Sequence, residues 1–157
     1  MKFSAPILLA AALVFVVGCG REDHAASGGG GHQHESPHGG TAVELGQHEA
    51  HLDVVLDARS GRLLAYVMDA HAENFLRIPA ESFEIAARLP AGETKLLLKA
   101  VASAATGEKV GDTSQFEAQA DALKGVAGFD AQLKQLTVRG KTYSKISFRV
   151  GKTDVNN

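Results

Sequence analysis

The strongest constraint on the fold is segment 51–71, HLDVVLDARSGRLLAYVMDAH, which has the pattern of a β-hairpin. Apolar residues alternate with other residues on both sides of its centre: Leu52, Val54 and Leu56 before it, and Leu64, Tyr66 and Met68 after it. Such alternation indicates strands with one buried face. Between them, Arg59-Ser60-Gly61 suits a three-residue loop in which Gly61 takes the left-handed bulge position.

That closure predicts the register of the hairpin. Ala58 pairs with Arg62, so that paired residue numbers sum to 120, and every apolar position then faces another apolar position. A slip of one residue would turn one strand's apolar face outward, which is why the match favours this register.

Other segments show the same period of two. The predicted strands include 82–89, 94–102, 131–138 and 142–150, separated by turns such as Pro90–Glu93. Segment 114–129 is ambiguous, since Phe116 suits the start of a strand and 121–124 suits a helical turn. No long amphipathic helix and no βαβ alternation is present. We therefore predict an all-β fold, an antiparallel immunoglobulin-like β-sandwich of seven to eight strands.

The N-terminus has the pattern of a secretory signal. Lys2 is followed by an apolar run from Ala5 to Val17, too short to span a bilayer. Val16-Val17-Gly18-Cys19 resembles the bacterial lipobox, and Cys19 is the only cysteine. We predict a lipoprotein signal peptide over 1–18 and lipidation of Cys19, which anchors the chain to a membrane. The alternative is an ordinary signal peptide with an incidental cysteine.

Residues 19–37 are rich in glycine and histidine and lack apolar periodicity, which predicts a flexible linker. It precedes a domain predicted over 38–151 and a frayed tail over 152–157. A histidine-rich tract is typical of metal binding, and imidazole suits Zn²⁺, Cu²⁺ and Ni²⁺. The tract comprises His24, His32, His34 and His38. The alternatives are that these histidines are only soluble linker residues, or an expression tag.

The predicted hairpin register also gathers a second histidine group. It places His51 opposite Asp69 and Glu49 opposite His71, at one end of the hairpin and on one face, where neighbouring Cβ atoms lie about 5 Å apart. Two imidazoles and two carboxylates at this rim predict a metal site. The alternative is a solvated strand end with His–carboxylate hydrogen bonds. We expect His38 at the opposite end of the hairpin, with Gly39 and Gly40 bending the chain into the first strand.

Several function classes lack support in the sequence. No nucleophile elbow, phosphate-binding loop, His-Glu-x-x-His motif or catalytic cysteine is present, so we do not expect an enzyme. A net charge of −2 and the absence of tryptophan give no electrostatic or stacking footprint for nucleic acid.

Two segments carry a family resemblance. Segment 38–71 opens His-Gly-Gly and ends its hairpin in Tyr-Val-Met-Asp-Ala, and segment 112–148 closes with Gly-Lys-Thr-Tyr followed by Phe148. Together they resemble small bacterial envelope domains that occur as lipoproteins or joined to periplasmic adaptors of heavy-metal efflux pumps. The resemblance implies a role in metal handling and brings no catalytic residues. Of the possible ligands, only His38 and Asp69 fall on the shared pattern.

Two hypotheses follow from the sequence. The first is a non-catalytic lipoprotein, lipid-anchored in the bacterial cell envelope and facing the periplasm, which binds a divalent transition metal as buffer, sensor or efflux accessory. The second is an interaction or structural lipoprotein that docks an envelope or efflux-system protein and has no metal role.

Overall fold

The computed structural model describes residues 36–151, and eight antiparallel strands make up most of them. The strands are β1 (Thr41–Leu45), β2 (Ala50–Asp57), β3 (Arg62–Met68), β4 (Ser82–Leu89), β5 (Gly92–Ala100), β6 (Gln115–Gln119), β7 (Gly128–Val138) and β8 (Lys141–Gly151). One short 3₁₀ turn, Asp121–Leu123, follows β6. The predicted all-β antiparallel fold is confirmed. Within residues 36–151 no helix is long and apolar enough to cross a membrane.

The eight strands form one sheet in the order β1-β2-β3-β6-β5-β4-β7-β8. Its two halves, β1-β2-β3-β6 and β5-β4-β7-β8, meet where Lys99 pairs with Glu117 and Ala100 with Phe116. The first and last strands also approach each other, with Cα atoms within 8 Å, but they share no ladder pairing. The sheet is therefore curled nearly into a barrel, with a core between its two halves.

Alternate residues of the strands fill this core. Phe83 of β4 and Phe116 of β6 pack edge to face with ring centroids 5.0 Å apart, and so join the two halves. Fully buried aliphatic side chains surround them: Leu52, Val54, Leu63, Val67, Ile85, Leu98 and Leu133. Burying each large side chain contributes about 1.5–3 kcal/mol. The alternating apolar residues of the predicted strands 82–89, 94–102 and 142–150 lie on this side of the sheet, among them Ile85, Leu98 and Val150.

A cluster at one end holds β1 and β8 together. Glu49, in the turn between β1 and β2, accepts hydrogen bonds of 2.6 Å from Lys141 Nζ and from the Tyr143 hydroxyl. The hydrogen bond from Lys141, and next that from Tyr143, lower the pKa of Glu49. Burial, and then the hydrogen bond to Glu49, raise the pKa of Tyr143 to about 12. Both groups therefore keep this ion pair and hydrogen bond intact across neutral pH.

The hairpin forms, but its predicted register is wrong by one residue. Gly61 takes the left-handed conformation with φ 75°, as expected. However, Asp57 rather than Ala58 pairs with Arg62, and the loop has four residues. The inner face of β3 is consequently Leu63, Ala65 and Val67.

The cause of the slip lies in the loop and in β3. The Asp57 carboxylate accepts hydrogen bonds from the Arg59 N–H at 3.0 Å and the Ser60 hydroxyl at 2.6 Å, which closes the loop around Asp57. Both faces of β3 are apolar, since Leu64, Tyr66 and Met68 face the other way, so the apolar pattern alone does not select one register.

Candidate functional site

Residues 36–40, which we call the strap, lie across the outer face of β2 just before β1 begins. Ser36 to Gly39 form a turn closed by a 3.0 Å hydrogen bond from the Gly39 N–H to the Ser36 carbonyl oxygen. Pro37 at its second position is typical of such a turn. A Cβ atom on Gly40 would lie 2.3 Å from the Val54 carbonyl oxygen, so only glycine allows the strap to approach β2 this closely.

Asp53, on the outer face of β2, holds the strap in place. Its carboxylate accepts hydrogen bonds from the Ser36 hydroxyl, from the His38 N–H at 3.1 Å and from His38 Nδ1 at 2.6 Å. Only 1% of the Asp53 side chain is exposed, against 28% for His38. A buried carboxylate is costly unless it is hydrogen-bonded, and here the strap provides the donors.

The His38 ring packs on an aromatic cluster. It stacks on Tyr66 of β3 with centroids 4.0 Å apart and an interplanar angle of 15°. Phe75 completes the cluster, 5.6 Å from His38 and 6.0 Å from Tyr66, and 53% of Phe75 remains exposed. Burial, with the nearby charge of Asp53, raises the pKa of Tyr66. The imidazole is therefore fixed in position by a carboxylate and a stacked ring.

The 2.6 Å contact also determines which ring nitrogen is available. Because Nδ1 faces a carboxylate, which accepts, Nδ1 is the nitrogen that donates its proton to Asp53, and Nε2 is the nitrogen left for a metal ligand bond. No residue in the described range 36–151 hydrogen-bonds to Nε2 of His38. A carboxylate–imidazole pair of this kind orients histidine for metal ligation. It is not a catalytic triad, since Ser36 donates to Asp53 and not to the imidazole.

The hairpin register behind the predicted rim site is wrong, so the rim residues are not paired across the strands as expected. His51 lies opposite Met68 and not Asp69, is only 2% exposed, and its Nδ1 lies 3.2 Å from the Asp69 carbonyl oxygen. Glu49 is bound to Lys141 and Tyr143, as described above. Across residues 36–151, no group of three or more His, Cys, Asp or Glu side chains could hold a metal ion.

The other two rim residues belong to the loop after β3. The Asp69 carboxylate accepts hydrogen bonds from the Asn74 side chain at 2.7 Å and from backbone N–H groups of the loop, which lowers the pKa of Asp69 to about 2. His71 is exposed, and its backbone N–H is 3.3 Å from the same carboxylate. Asp69 therefore stabilises a turn.

His38 also lies elsewhere than predicted. We expected it near the Asp57–Gly61 end of the hairpin, whereas the strap places it over Asp53 and Tyr66. The predicted bend at Gly39 and Gly40 is confirmed, since Gly39 has φ 72°. Sequence reasoning missed Asp53, although an aspartate in the middle of an apolar strand was a signal.

Several predicted features lie outside the described residues. These are the signal peptide over 1–18, the lipidation site Cys19, the tract histidines His24, His32 and His34, and the tail over 152–157. For these, the sequence remains the only guide.

Comparisons with known proteins gave no match: no family model, no curated protein and no solved structure is significantly similar to this chain.

Proposed function

We propose that this protein is a non-catalytic lipoprotein of the bacterial envelope that binds a divalent transition metal, with His38 as the fixed ligand. The ions that suit its imidazole are Zn²⁺, Cu²⁺ and Ni²⁺. Lipid on Cys19 would hold the domain at a membrane facing the periplasm, where it would act as buffer, sensor or efflux accessory.

The observation that carries this proposal is the 2.6 Å hydrogen bond between His38 Nδ1 and the buried Asp53 carboxylate. It presets the tautomer that binds metal, and the stacked Tyr66 ring restricts rotation of the imidazole. Less ordering of His38 is then required on binding. An imidazole held in this way binds metal more tightly than one on a free chain.

One histidine does not make a site, and the sequence supplies further ligands nearby. His34 and His32 precede His38 by four and six residues, and His24 lies further upstream. The sequence predicts a flexible linker over 19–37, and ligands from a flexible segment must be ordered on binding, so affinity depends on having one ligand already in place. Binding requires neutral imidazole, so metal affinity should fall as the pH is lowered.

A different observation favours the second hypothesis, an interaction lipoprotein without metal. Phe75 is 53% exposed beside the His38 and Tyr66 rings, and exposed aromatic side chains are enriched where proteins dock. An envelope or efflux-system protein could bind this aromatic cluster directly. In that case, replacing Phe75 would abolish the interaction and would leave metal affinity unchanged.

Calorimetric titration of the full-length chain in detergent with Zn²⁺, Cu²⁺ and Ni²⁺ separates these proposals. The metal proposal predicts saturable binding tighter than roughly 10 μM near pH 7.5 for at least one ion. His38→Gln and Asp53→Asn should each weaken it by about 10–100-fold. His71→Gln replaces an exposed histidine that makes none of the ring contacts of the cluster, and it is the matched control, which should bind as the unaltered chain does. The proposal fails if His38→Gln has the same effect as His71→Gln.

Tyrosine emission gives an independent readout, because the chain contains no tryptophan and two tyrosines. Cu²⁺ bound at His38 would lie next to the stacked Tyr66 ring and should quench it. In a Tyr143→Phe variant all tyrosine emission comes from Tyr66, and in Tyr66→Phe it comes from Tyr143. Strong quenching in the first variant and weak quenching in the second places the ion at the cluster, whereas equal quenching places it elsewhere.

A further inference from the structure

Among the strands of residues 36–151, none lies next to one edge of β5 over most of its length. The Val101 N–H donates to Gln115 on the β6 side, whereas the Ala100 N–H donates to Glu81 on the β4 side. Since backbone groups alternate along a strand, those of Glu93, Lys95 and Leu97 point toward the β6 side as well. The pairing with β6 covers only Lys99 and Ala100, and no described residue pairs with this edge at 93–97.

The unpaired edge is accessible. The side chains of Glu93, Lys95 and Leu97 are all exposed, and 51% of Leu97 is open to solvent, which is unusual for leucine. A surface trough runs alongside, between Leu97 on β5 and Ala118 on β6. A row of unpaired backbone donors and acceptors next to an exposed apolar side chain is a template for another strand.

The charged side chains on this edge can pair with those on the same edge of a second copy. Read antiparallel about Thr94, the triplet Glu93-Thr94-Lys95 places each glutamate opposite a lysine and each threonine opposite a threonine, and both kinds of cross-strand pair are favourable. Leu97 then faces Ala91, in the turn before β5. The neighbouring registers do not fit. A two-fold axis at Lys95 would place the two copies of Lys95 opposite each other. An axis at Leu96 would place Glu93 opposite Lys99, which already pairs with β6.

We propose that β5 pairs antiparallel with β5 of a second copy of this chain, with the two-fold axis at Thr94. Glu93 lies opposite Lys95 of the second copy, and Lys95 lies opposite its Glu93. Each of these pairs exchanges backbone hydrogen bonds, and the two four-stranded halves β5-β4-β7-β8 join into one continuous layer. The contact is isologous, so it closes as a dimer.

Sedimentation velocity of the full-length chain in detergent, with EDTA to remove bridging metal, tests the proposal. The unaltered chain should show a concentration-dependent dimer. Glu93→Lys alone and Lys95→Glu alone oppose like charges at both symmetric positions, and each should raise the dimer dissociation constant about tenfold or more. Lys109→Glu changes an exposed charge in the loop between β5 and β6 and should leave dimerisation unchanged.

Restoring the opposite-charge pairs distinguishes the loss of this β5–β5 register from a loss of folding. The double variant Glu93→Lys with Lys95→Glu recreates both opposite-charge pairs and should dimerise again. An equimolar mixture of the two single variants should form heterodimers, although neither variant associates with itself. A chain that stays monomeric up to roughly 1 mM overturns the proposal. It is equally overturned if the single variants dimerise as the unaltered chain does, or if the double variant fails to recover.

Discussion

We predict that His38 and Asp53 are energetically coupled, so that the effects of replacing them on the free energy of unfolding are not additive. A hydrogen bond to a charged group contributes about 1.5–3 kcal/mol. The His38 side chain is 28% exposed, which argues for the lower part of that range, whereas Asp53 is 1% exposed, which argues for the upper part. The stack of His38 on Tyr66 adds about 0.5–1.5 kcal/mol that does not depend on Asp53.

The two single variants and the double variant separate these contributions. His38→Ala should lower the free energy of unfolding by about 2–4 kcal/mol, since it loses both the hydrogen bond and the stack. In His38→Ala the Asp53 carboxylate keeps the Ser36 hydroxyl and one backbone N–H, so it is not left unpaired. We expect a coupling energy of about 1.5–3 kcal/mol in the cycle with Asp53→Ala.

Urea unfolding followed by circular dichroism measures these free energies, and hydrogen exchange of residues 38–43 shows whether the strap opens before the domain does. If the strap opens locally, both single variants should show lower protection from hydrogen exchange at residues 38–43, while the urea midpoint of unfolding changes little. A coupling energy below about 0.5 kcal/mol, together with unchanged protection of the strap, would refute the account of how His38 is held.

Three further predictions concern the rest of the domain. Gly61→Ala should destabilise the protein more than Gly107→Ala, as measured by thermal unfolding: both have positive φ, but a Cβ at Gly61 would lie 2.5 Å from a backbone oxygen whereas Gly107 faces open space. Asn74→Ala should raise the pKa of Asp69 from about 2 toward its ordinary 3.8, as followed by carboxyl NMR. Because the folded-state pKa of Asp69 is depressed, its contribution to stability is complete above pH 3.8 and is lost as the pH falls toward 2, so this variant should lose less stability on acidification. Glu108→Gln should weaken the hydrogen bonds that fix the loop between β5 and β6, destabilise the domain by about 1–3 kcal/mol and speed hydrogen exchange over 103–114.

The sequence predicted the strands and the core because their signal is local. Alternation at Phe83, Ile85 and Leu89 requires one buried face whatever the neighbours are, and the structure buries those positions. The final hairpin was predictable for the same reason. The number of strands and their antiparallel class followed from such segments and from the short turns between them.

The register of the first hairpin was not predictable in the same way. β3 is apolar on both faces, so two registers satisfied the pattern equally well, and the hydrogen bonds to Asp57 selected between them. One residue of slip placed His51 opposite Met68 and not Asp69, so the cross-strand pairs on which the predicted rim site depended do not form. A site inferred from cross-strand neighbours is therefore predicted correctly only when the turn that sets the register is predicted correctly.

The environment of His38 depended on tertiary structure. The Ser-Pro-His-Gly turn could be recognised, but the direction in which the strap folds is set by contacts with Asp53 and Tyr66, well over ten residues away along the chain. The sequence identified the histidine as a candidate ligand. It did not identify the carboxylate that orients it.

The most direct test of the account is the nitrogen NMR spectrum of the His38 imidazole during a Zn²⁺ titration of the full-length chain. Without metal, we predict a proton on Nδ1 and a bare Nε2. On adding Zn²⁺, the Nε2 resonance of His38 should shift toward the value of a metal-bound nitrogen, while both nitrogens of His71 stay unchanged. A His38 imidazole whose Nε2 carries the proton, or whose resonances do not move at saturating Zn²⁺, would contradict the claim that this histidine is a preset metal ligand.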